Sequence, residues 1–338
     1  MNILAIESSC DETAVAIVRD GREVLTDCIA SQVALHREYG GVVPEIASRK
    51  HIEAIYPLAD QALKEVGLTR DDIDAVAVTY APGLIGAVLV GVNFAKAAAM
   101  AMNKPLIPVH HIRGHIAANY LAYPELEPPF LCLVVSGGHT MIIEVKDYTD
   151  MRILGTTLDD AAGECFDKVG RVLGMPYPGG AALDKAAQKG DEAKYNLPVA
   201  KPGENPYNMS FSGLKTATLN LIHHAEQVGE ELDIPSLCAS FTAAVSETLV
   251  PRVVRALQET GYRKIAVAGG VAANSRIRAD ILHAAEKLGA EVFMPPLKLC
   301  GDNGAMIGAQ AYYEYLAGNV ADMSLNAYAT KSILGETV

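Results

Sequence analysis

ILAIESSCDETAVAIV, residues 3–18, is the stretch on which the fold turns. It reads as an apolar strand, a short polar turn and a second apolar strand. LCLVVSGGHTMIIEV, residues 131–145, repeats that plan about 128 residues further on. A repeated hairpin points to a duplicated domain in which each copy presents a polar turn towards a shared cleft. Any two β-hairpins share this much, so the hairpins alone leave duplication as one of two readings. Working outward, residues 2–6, 13–19 and 23–31 read as strands and 44–66 as a helix. A buried strand at 75–80, a helix ending near Met102 and a strand at 105–109 follow. Residues 264–268 form a strand running into GGVAANSRIR and a helix to about Leu288, residues 291–294 another strand, and CGDNGAMIGAQAYYEYL opens a last helix. Short Ile, Val and Ala runs alternating with helical stretches define an α/β chain.

The 338 residues are 50% hydrophobic and 20% charged, enough apolar matter for two domains. Lys plus Arg number 28 against 40 Asp plus Glu, a net charge of -12. This excludes a free-standing basic nucleic-acid module, which needs clustered cations. Arg49, Lys50 and His51, or Arg276 and Arg278, could form a local patch, or simply lie on solvated helix faces. Six cysteines without a Cys-x-x-Cys pair fit a reducing compartment. MNILAIESS lacks the cationic and apolar run of a signal peptide, so a cytoplasmic protein is expected. Residues 75–95 carry no charge, but Pro82, Gly83, Gly86, Gly91 and Asn93 make them strand, loop and buried helix start, and no membrane partner is expected.

His111 and His115 stand four apart in HIRGHIAANYLAY, whose later apolar spacing is helical. On a helix both imidazoles share a face and can converge on one metal; the alternative is two solvated histidines. Ile112, Arg113 and Gly114 lie between them, so the glutamate of a His-Glu-x-x-His protease helix is missing. His110 has no partner at 114 and is given no role. Asp302, in CGDNGAMIG, is the best third ligand, with helix capping as its ordinary alternative. Two His and one Asp with open positions suit iron(II), and zinc(II) remains chemically open. Ser136, Gly137, Gly138, His139 and Thr140 form the second turn, where glycine lets backbone N–H groups approach a phosphate or carboxylate. GGVAAN, residues 269–274, is a strand-to-helix loop of the same kind, in which Asn274 could bond a nucleotide. Neither a dinucleotide fingerprint nor a P-loop is present. Asp167 and Asp184, in glycine-punctuated regions, could accept bonds from sugar hydroxyls. Asp11 and Glu12 fill the first turn, either as catalytic groups or as turn formers.

ESSCDET, KAAAMAMNKPLIPVHHIRGHI (residues 96–116), VVSGGHT, GECFDKVGR, GGVAANSRIR and CGDNGAM together closely resemble the tRNA N(6)-adenosine threonylcarbamoyltransferase family, formerly the glycoproteases or O-sialoglycoprotein endopeptidases. The resemblance spans residue 1 to about Leu316 in the family's order. It implies two duplicated ribonuclease H-like domains of the actin, sugar kinase and Hsp70 superfold with an interdomain cleft. Residues 1–110 would be the N-terminal actin-like lobe, with 303–325 packing back onto it, and 111–302 the C-terminal lobe. It implies one divalent metal, iron(II) or else zinc(II), on His111, His115 and Asp302. It implies an adenylate held by Val134, Val135, Ser136, Gly137, Gly138, Asp167, Gly180, Asp184 and Asn274. The implied reaction passes threonylcarbamoyl from threonylcarbamoyladenylate to the exocyclic amine of the adenosine beside the anticodon, in tRNAs reading codons that begin with A, releasing AMP. Implied partners are tRNA, a paralogous actin-fold subunit (TsaB-like) and a small ATPase (TsaE-like). A metal-dependent glycoprotein endopeptidase, an ATP-binding kinase of the same superfold and a noncatalytic scaffold subunit are the rival readings.

Overall fold

The computed structural model describes residues 1–201 and 203–334. In chain order its elements are β1 (Asn2–Glu7), β2 (Glu12–Arg19), β3 (Glu23–Ser31), α1 (Val33–Arg37), α2 (Pro44–Val66), β4 (Ala75–Ala81), α3 (Ile85–Met102), β5 (Leu106–His110) and α4 (His111–Ala122). There follow β6 (Phe130–Val135), β7 (Thr140–Val145), β8 (Met151–Thr156), α5 (Ala162–Val172), α6 (Gly179–Ala187), α7 (Ser212–Val228), α8 (Ile234–Thr260), β9 (Lys264–Ala268), α9 (Ser275–Lys287), β10 (Glu291–Phe293) and α10 (Gly304–Leu316). The chain divides into two compact units. The first holds Met1–Pro128, Val145–Met151 and the described residues from Pro295 on, and the second Pro129–Glu144 and Arg152–Met294.

The first unit is built on a five-stranded sheet of order β3-β2-β1-β4-β5. β1 and β2 pair antiparallel from Asn2↔Arg19 to Glu7↔Ala14, and β4 and β5 add in parallel. These strands are apolar at nearly every position because helices cover both faces. Leu4 and Ile6 point into a core with Ile55, Leu58, Val88 and Val92 of α2 and α3. Ile3 and Ala5 point the other way, into a core with Ala118 of α4 and Met306 and Ile307 of α10. One strand therefore anchors two layers through its period of two.

The division of the chain differs from the expected one. The first unit does not end at 110: α4 belongs to it, packed against α10 and β5, and so does Asp302. The segment Val145–Met151 belongs to it as well, with the Tyr148 ring stacked on Tyr313 at 3.7 Å and both hydroxyls bonded to Arg22. Nothing local in residues 111–122 announces a packing partner about 190 residues away, which is why the boundary is displaced.

The second unit repeats the sheet as β10-β9-β6-β7-β8, with β6, β9 and β10 in the places of β1, β4 and β5 and the same parallel pairings between them. Among the described residues two helices, α3 and α8, are long and apolar enough to cross a membrane. α8 is the core helix of the second unit, with most of its length buried. The charge-free stretch resolves into β4, a turn and α3.

Candidate active site

β5 ends at His110, whose Nδ1 accepts the Ile112 N–H at 3.3 Å, so this histidine caps the helix that starts with the next residue. His111 and His115 then lie one turn apart on α4, their rings edge to face with centroids 4.6 Å apart. Gly114, between them, faces α10, where a Cβ would stand 2.7 Å from Ile307 Cδ1; the close approach of the two helices needs a glycine there. The residue before α10, Asn303, caps it by accepting the Met306 N–H at 2.8 Å. Asp302 is thereby released from the capping role open to it in the sequence. Its Oδ1 lies 3.3 Å from His115 Nε2 and 3.6 Å from His111 Nε2.

The ligand atoms of His111, His115 and Asp302 all lie within 4.8 Å of one another. Metal–ligand bonds of about 2.0–2.2 Å in tetrahedral array put neighbouring donor atoms about 3.3–3.6 Å apart, and both His–Asp separations fall in that range. Electrostatics agree with that donor set. Burial raises the Asp302 carboxyl, but the charges of His111 and His115 and a bond to His115 bring it down to about 2. Burial lowers the His111 imidazole, yet Glu7 and Asp302 lift it to about 9. A positive charge is wanted here, and a metal ion would take the place of the proton.

Sequence reasoning missed Glu7. It is wholly buried at the end of β1 and accepts the Ser9 N–H at 2.5 Å, the Thr79 hydroxyl at 2.5 Å and His111 Nδ1 at 3.0 Å. Burial raises this carboxyl as well, and His111 more than reverses the effect, leaving it below the ordinary range. A charged residue closing an otherwise apolar strand was the available signal. Asp11 lies in the first turn, but Glu12 is already the first residue of β2, paired with Ser31 of β3. Burial, Asp11 and Asp302 push the Glu12 carboxyl up, and Ser31 donates to it at 2.9 Å.

In the second unit, the turn after β6 carries Ser136, Gly137 and Gly138. A Cβ on either glycine would meet nothing within 4 Å, so their backbone faces open space. The turn is clamped from behind. Gly163 at the start of α5 donates its N–H to Ser136 O at 3.2 Å, and Gly269, at φ +92°, lies where a Cβ would stand 2.5 Å from Val135 O. The side chains of Val134 and Val135 are buried in β6 and set the turn's position from within the sheet. Asp167 Oδ1 accepts the N–H groups of Gly179 at 2.8 Å and Gly180 at 3.4 Å, fixing the start of α6 against α5. Asp184 accepts the Ser275 hydroxyl at 2.7 Å, and Asn274 caps α9 through the Ile277 N–H at 3.1 Å. The structure thus joins Asp184 to the end of GGVAAN and Asp167 to Gly180, with bonds that organise helix starts.

The cations considered for a patch are engaged locally. Arg49 pairs with Glu45, Lys50 with Glu53, and Arg276 with Glu192 and Asp280, while Arg278 donates to Ala272 O. His51 is buried, bonded to Thr13 Oγ1 at 2.7 Å and Cys10 O at 3.0 Å, so it belongs to the interior and not to a surface patch.

Two like sheets, each tipped by a polar turn, are the plan of the actin, sugar kinase and Hsp70 superfold. HypF from T. kodakarensis matches with a TM-score of 0.64 at 15% identity, over 96% of this chain and 49% of that one. Component A of the (R)-2-hydroxyglutaryl-CoA dehydratase of Acidaminococcus fermentans matches with a TM-score of 0.53 at 15% identity, over 94% and 99%. At that identity the likeness shows the fold alone. The profile of the TsaD family, tRNA N6-adenosine threonylcarbamoyltransferase, matches residues 23–309. The chain is 57% identical to the Moorella thermoacetica protein of that name over 96% of its length and 95% of the relative's. It is 53% identical to the one from Clostridium perfringens over 96% of each. The chain belongs to the tRNA N6-adenosine threonylcarbamoyltransferase family.

Proposed function

We propose that this chain transfers a threonylcarbamoyl group from threonylcarbamoyladenylate to the exocyclic amine of the adenosine beside the anticodon, in tRNAs reading codons that begin with A. The observation that carries this reading is its identity, above half over nearly the full length, with proteins named for that transfer. The amine nitrogen attacks the carbamoyl carbon, a C–N bond forms, the C–O bond to phosphate breaks, AMP leaves with the electron pair, and the amine loses one proton. AMP leaves readily from a mixed anhydride, so positioning and charge stabilisation matter more than a strong base.

With nothing beside the Cβ positions of Gly137 and Gly138, a ligand could approach their backbone, whose N–H groups would hold the phosphate or the developing oxyanion. Asp167, Gly180, Asp184 and Asn274 would keep the surrounding helix starts in place and reach the ribose or threonyl end. Asp11 at the end of the first turn and Glu12 at the start of β2 would be the catalytic carboxyls, with burial and Asp11 raising the Glu12 carboxyl. His111, His115 and Asp302 would hold one iron(II) ion, or zinc(II), and when bound that ion supplies Lewis-acid polarisation of an oxygen. The endopeptidase reading lacks a base on α4, where Ile112, Arg113 and Gly114 separate the histidines.

The partners are those the family resemblance implies. α2 and α3 expose Ile52, Tyr56, Ile85, Leu89 and Met100, an apolar face suited to a paralogous actin-fold subunit. A small ATPase completes the assembly that the family resemblance implies. The tRNA substrate and the six free thiols are in keeping with a cytoplasmic setting. The test supplies the purified chain with unmodified tRNA and threonylcarbamoyladenylate, with and without both partners, and quantifies the modified nucleoside by mass spectrometry. Repeated turnover with partners and little without them is expected. No modified nucleoside with all partners present would overturn the reading.

A further inference from the structure

We infer that Glu7 is a positioning residue for the metal centre: it holds His111 with the proton on Nδ1, so that Nε2 is the nitrogen presented beside Asp302. This rests on the metal-binding reading above and assigns the part of a buried group which that reading leaves unused.

Glu7 is 0% exposed, and a buried carboxylate persists only when donors surround it. Its Oε1 faces the Ser9 N–H, which can only donate. Its Oε2 receives the Thr79 hydroxyl and lies 3.0 Å from His111 Nδ1. With both oxygens accepting, the hydrogen of the third contact must be on the imidazole. Ser9 Oγ, 3.2 Å from the same Nδ1, is a second acceptor for that hydrogen in this tautomer. The Nε2 lone pair is then left on the side where Asp302 Oδ1 stands 3.6 Å off. Metal-ligating histidines are ordinarily oriented by such a partner, and its loss weakens metal binding about 10–100-fold. Among the described residues His115 has no equivalent: its Nδ1 is buried with no hydrogen-bond partner there, while its Nε2 faces Asp302 and its ring lies edge to face with that of His111. The two ligands are therefore unequally prepared, and Glu7 makes the difference.

Glu7→Gln tests this. A glutamine of the same shape can still accept from Ser9 but offers an NH2 group to Nδ1, which favours the tautomer with its hydrogen on Nε2. Zinc(II) alone and iron(II) alone are titrated into the full chain against a chelator, and the zinc-loaded protein is examined by ¹⁵N NMR of the imidazoles. In the unsubstituted chain, a slowly exchanging His111 Nδ1–H with Nε2 on zinc is expected. In E7Q, metal affinity should fall about 10–100-fold. Thr79→Val, which removes a different donor from the same carboxylate, should lower thermal stability but change metal affinity less than about threefold. Should E7Q prove unfolded, the imidazole spectrum of the unsubstituted chain decides alone. Zinc bound through His111 Nδ1, or E7Q binding metal as tightly as its parent, would overturn the role of Glu7 and leave the metal site standing. Failure of the unsubstituted chain to bind either ion would overturn both.

Discussion

The two units carry one sheet plan and arm it differently. The tip of the first hairpin in unit one is one of side-chain chemistry: Glu7 at the end of β1 and Ser9 in the turn contact His111, and Asp11 and Glu12 follow as the chain enters β2. After the first strand of unit two comes a turn stripped of side chains, where Gly137 and Gly138 leave backbone facing open space. Both turns are braced by a glycine following the parallel fourth strand. A Cβ on Gly83 would stand 2.6 Å from Ser9 O, and one on Gly269 2.5 Å from Val135 O. The duplicated frame supplies a rigid tip; what it presents, buried charge or bare amide, was settled separately in each copy.

The largest expected effect comes from taking the charge out of the first tip. His111→Ala, His115→Ala or Asp302→Ala should abolish stoichiometric metal and lower transfer by more than the roughly 10–100-fold expected of a supporting residue. Metal analysis alongside the nucleoside assay checks this, and full occupancy in the histidine variants would break the contrast.

The braces come next. Gly269→Ala meets both a left-handed backbone and a carbonyl, and should cost about 2–4 kcal/mol; Gly83→Ala, with the contact alone, about 1–3 kcal/mol. Thermal melts rank them. Each should also damage its own tip, Gly83→Ala reducing metal affinity and Gly269→Ala reducing adenylate affinity. Equal loss of both properties in both variants would mean that the tips are not separate devices. Gly137→Ala sharpens the point. With nothing near its Cβ the melting temperature should stay put while the KM for the adenylate rises, and an unchanged KM would remove the amides from phosphate binding.

The smallest effect concerns charge in unit two, which serves structure. Asp160 receives Lys215 and the Ser212 hydroxyl, tying α7 to the approach of α5, and those bonds hold its carboxyl below the ordinary range. A depressed carboxylate stabilises the fold above its unfolded pKa, and the benefit drains away as pH falls through the lower folded value. Lys215→Met should therefore cost about 1–2 kcal/mol at pH 7 and progressively less in acid below about pH 4. A deficit independent of pH would assign the loss to packing.

Much of this was legible in advance. Strand 23–31 and helix 44–66 fall where their patterns put them, because an edge strand that buries Thr26 and Cys28 on one face and a Pro-started amphipathic helix are local signals. The His-x-x-x-His pair and Asp302 were legible through residue type and spacing, and the structure brings them together. Glu7 was not. In ESSCDE it looks like any turn acid, and only the register setting Ile6 against Val78, with Thr79 next along β4, reveals a cradle. The capping duty of Asn303 and the allegiance of α4 were hidden for the same reason. Each depends on which element packs where.

α4 has one more tether. His110 Nε2 lies 3.1 Å from Lys331 O, and Arg113 donates to Ile333 O while pairing with Glu314. The residues on either side of the ligand His111 are thus held by the last described stretch of the chain. During synthesis, Glu7 and the histidines emerge early, yet the second unit is made in between, before Asp302 or these tethers exist. The second unit can begin to fold while the first is still open. The His111–His115–Asp302 cluster is among the last parts of the molecule to be completed, and a ribosome stalled before residue 302 would carry a nascent chain with the histidines but without their carboxylate.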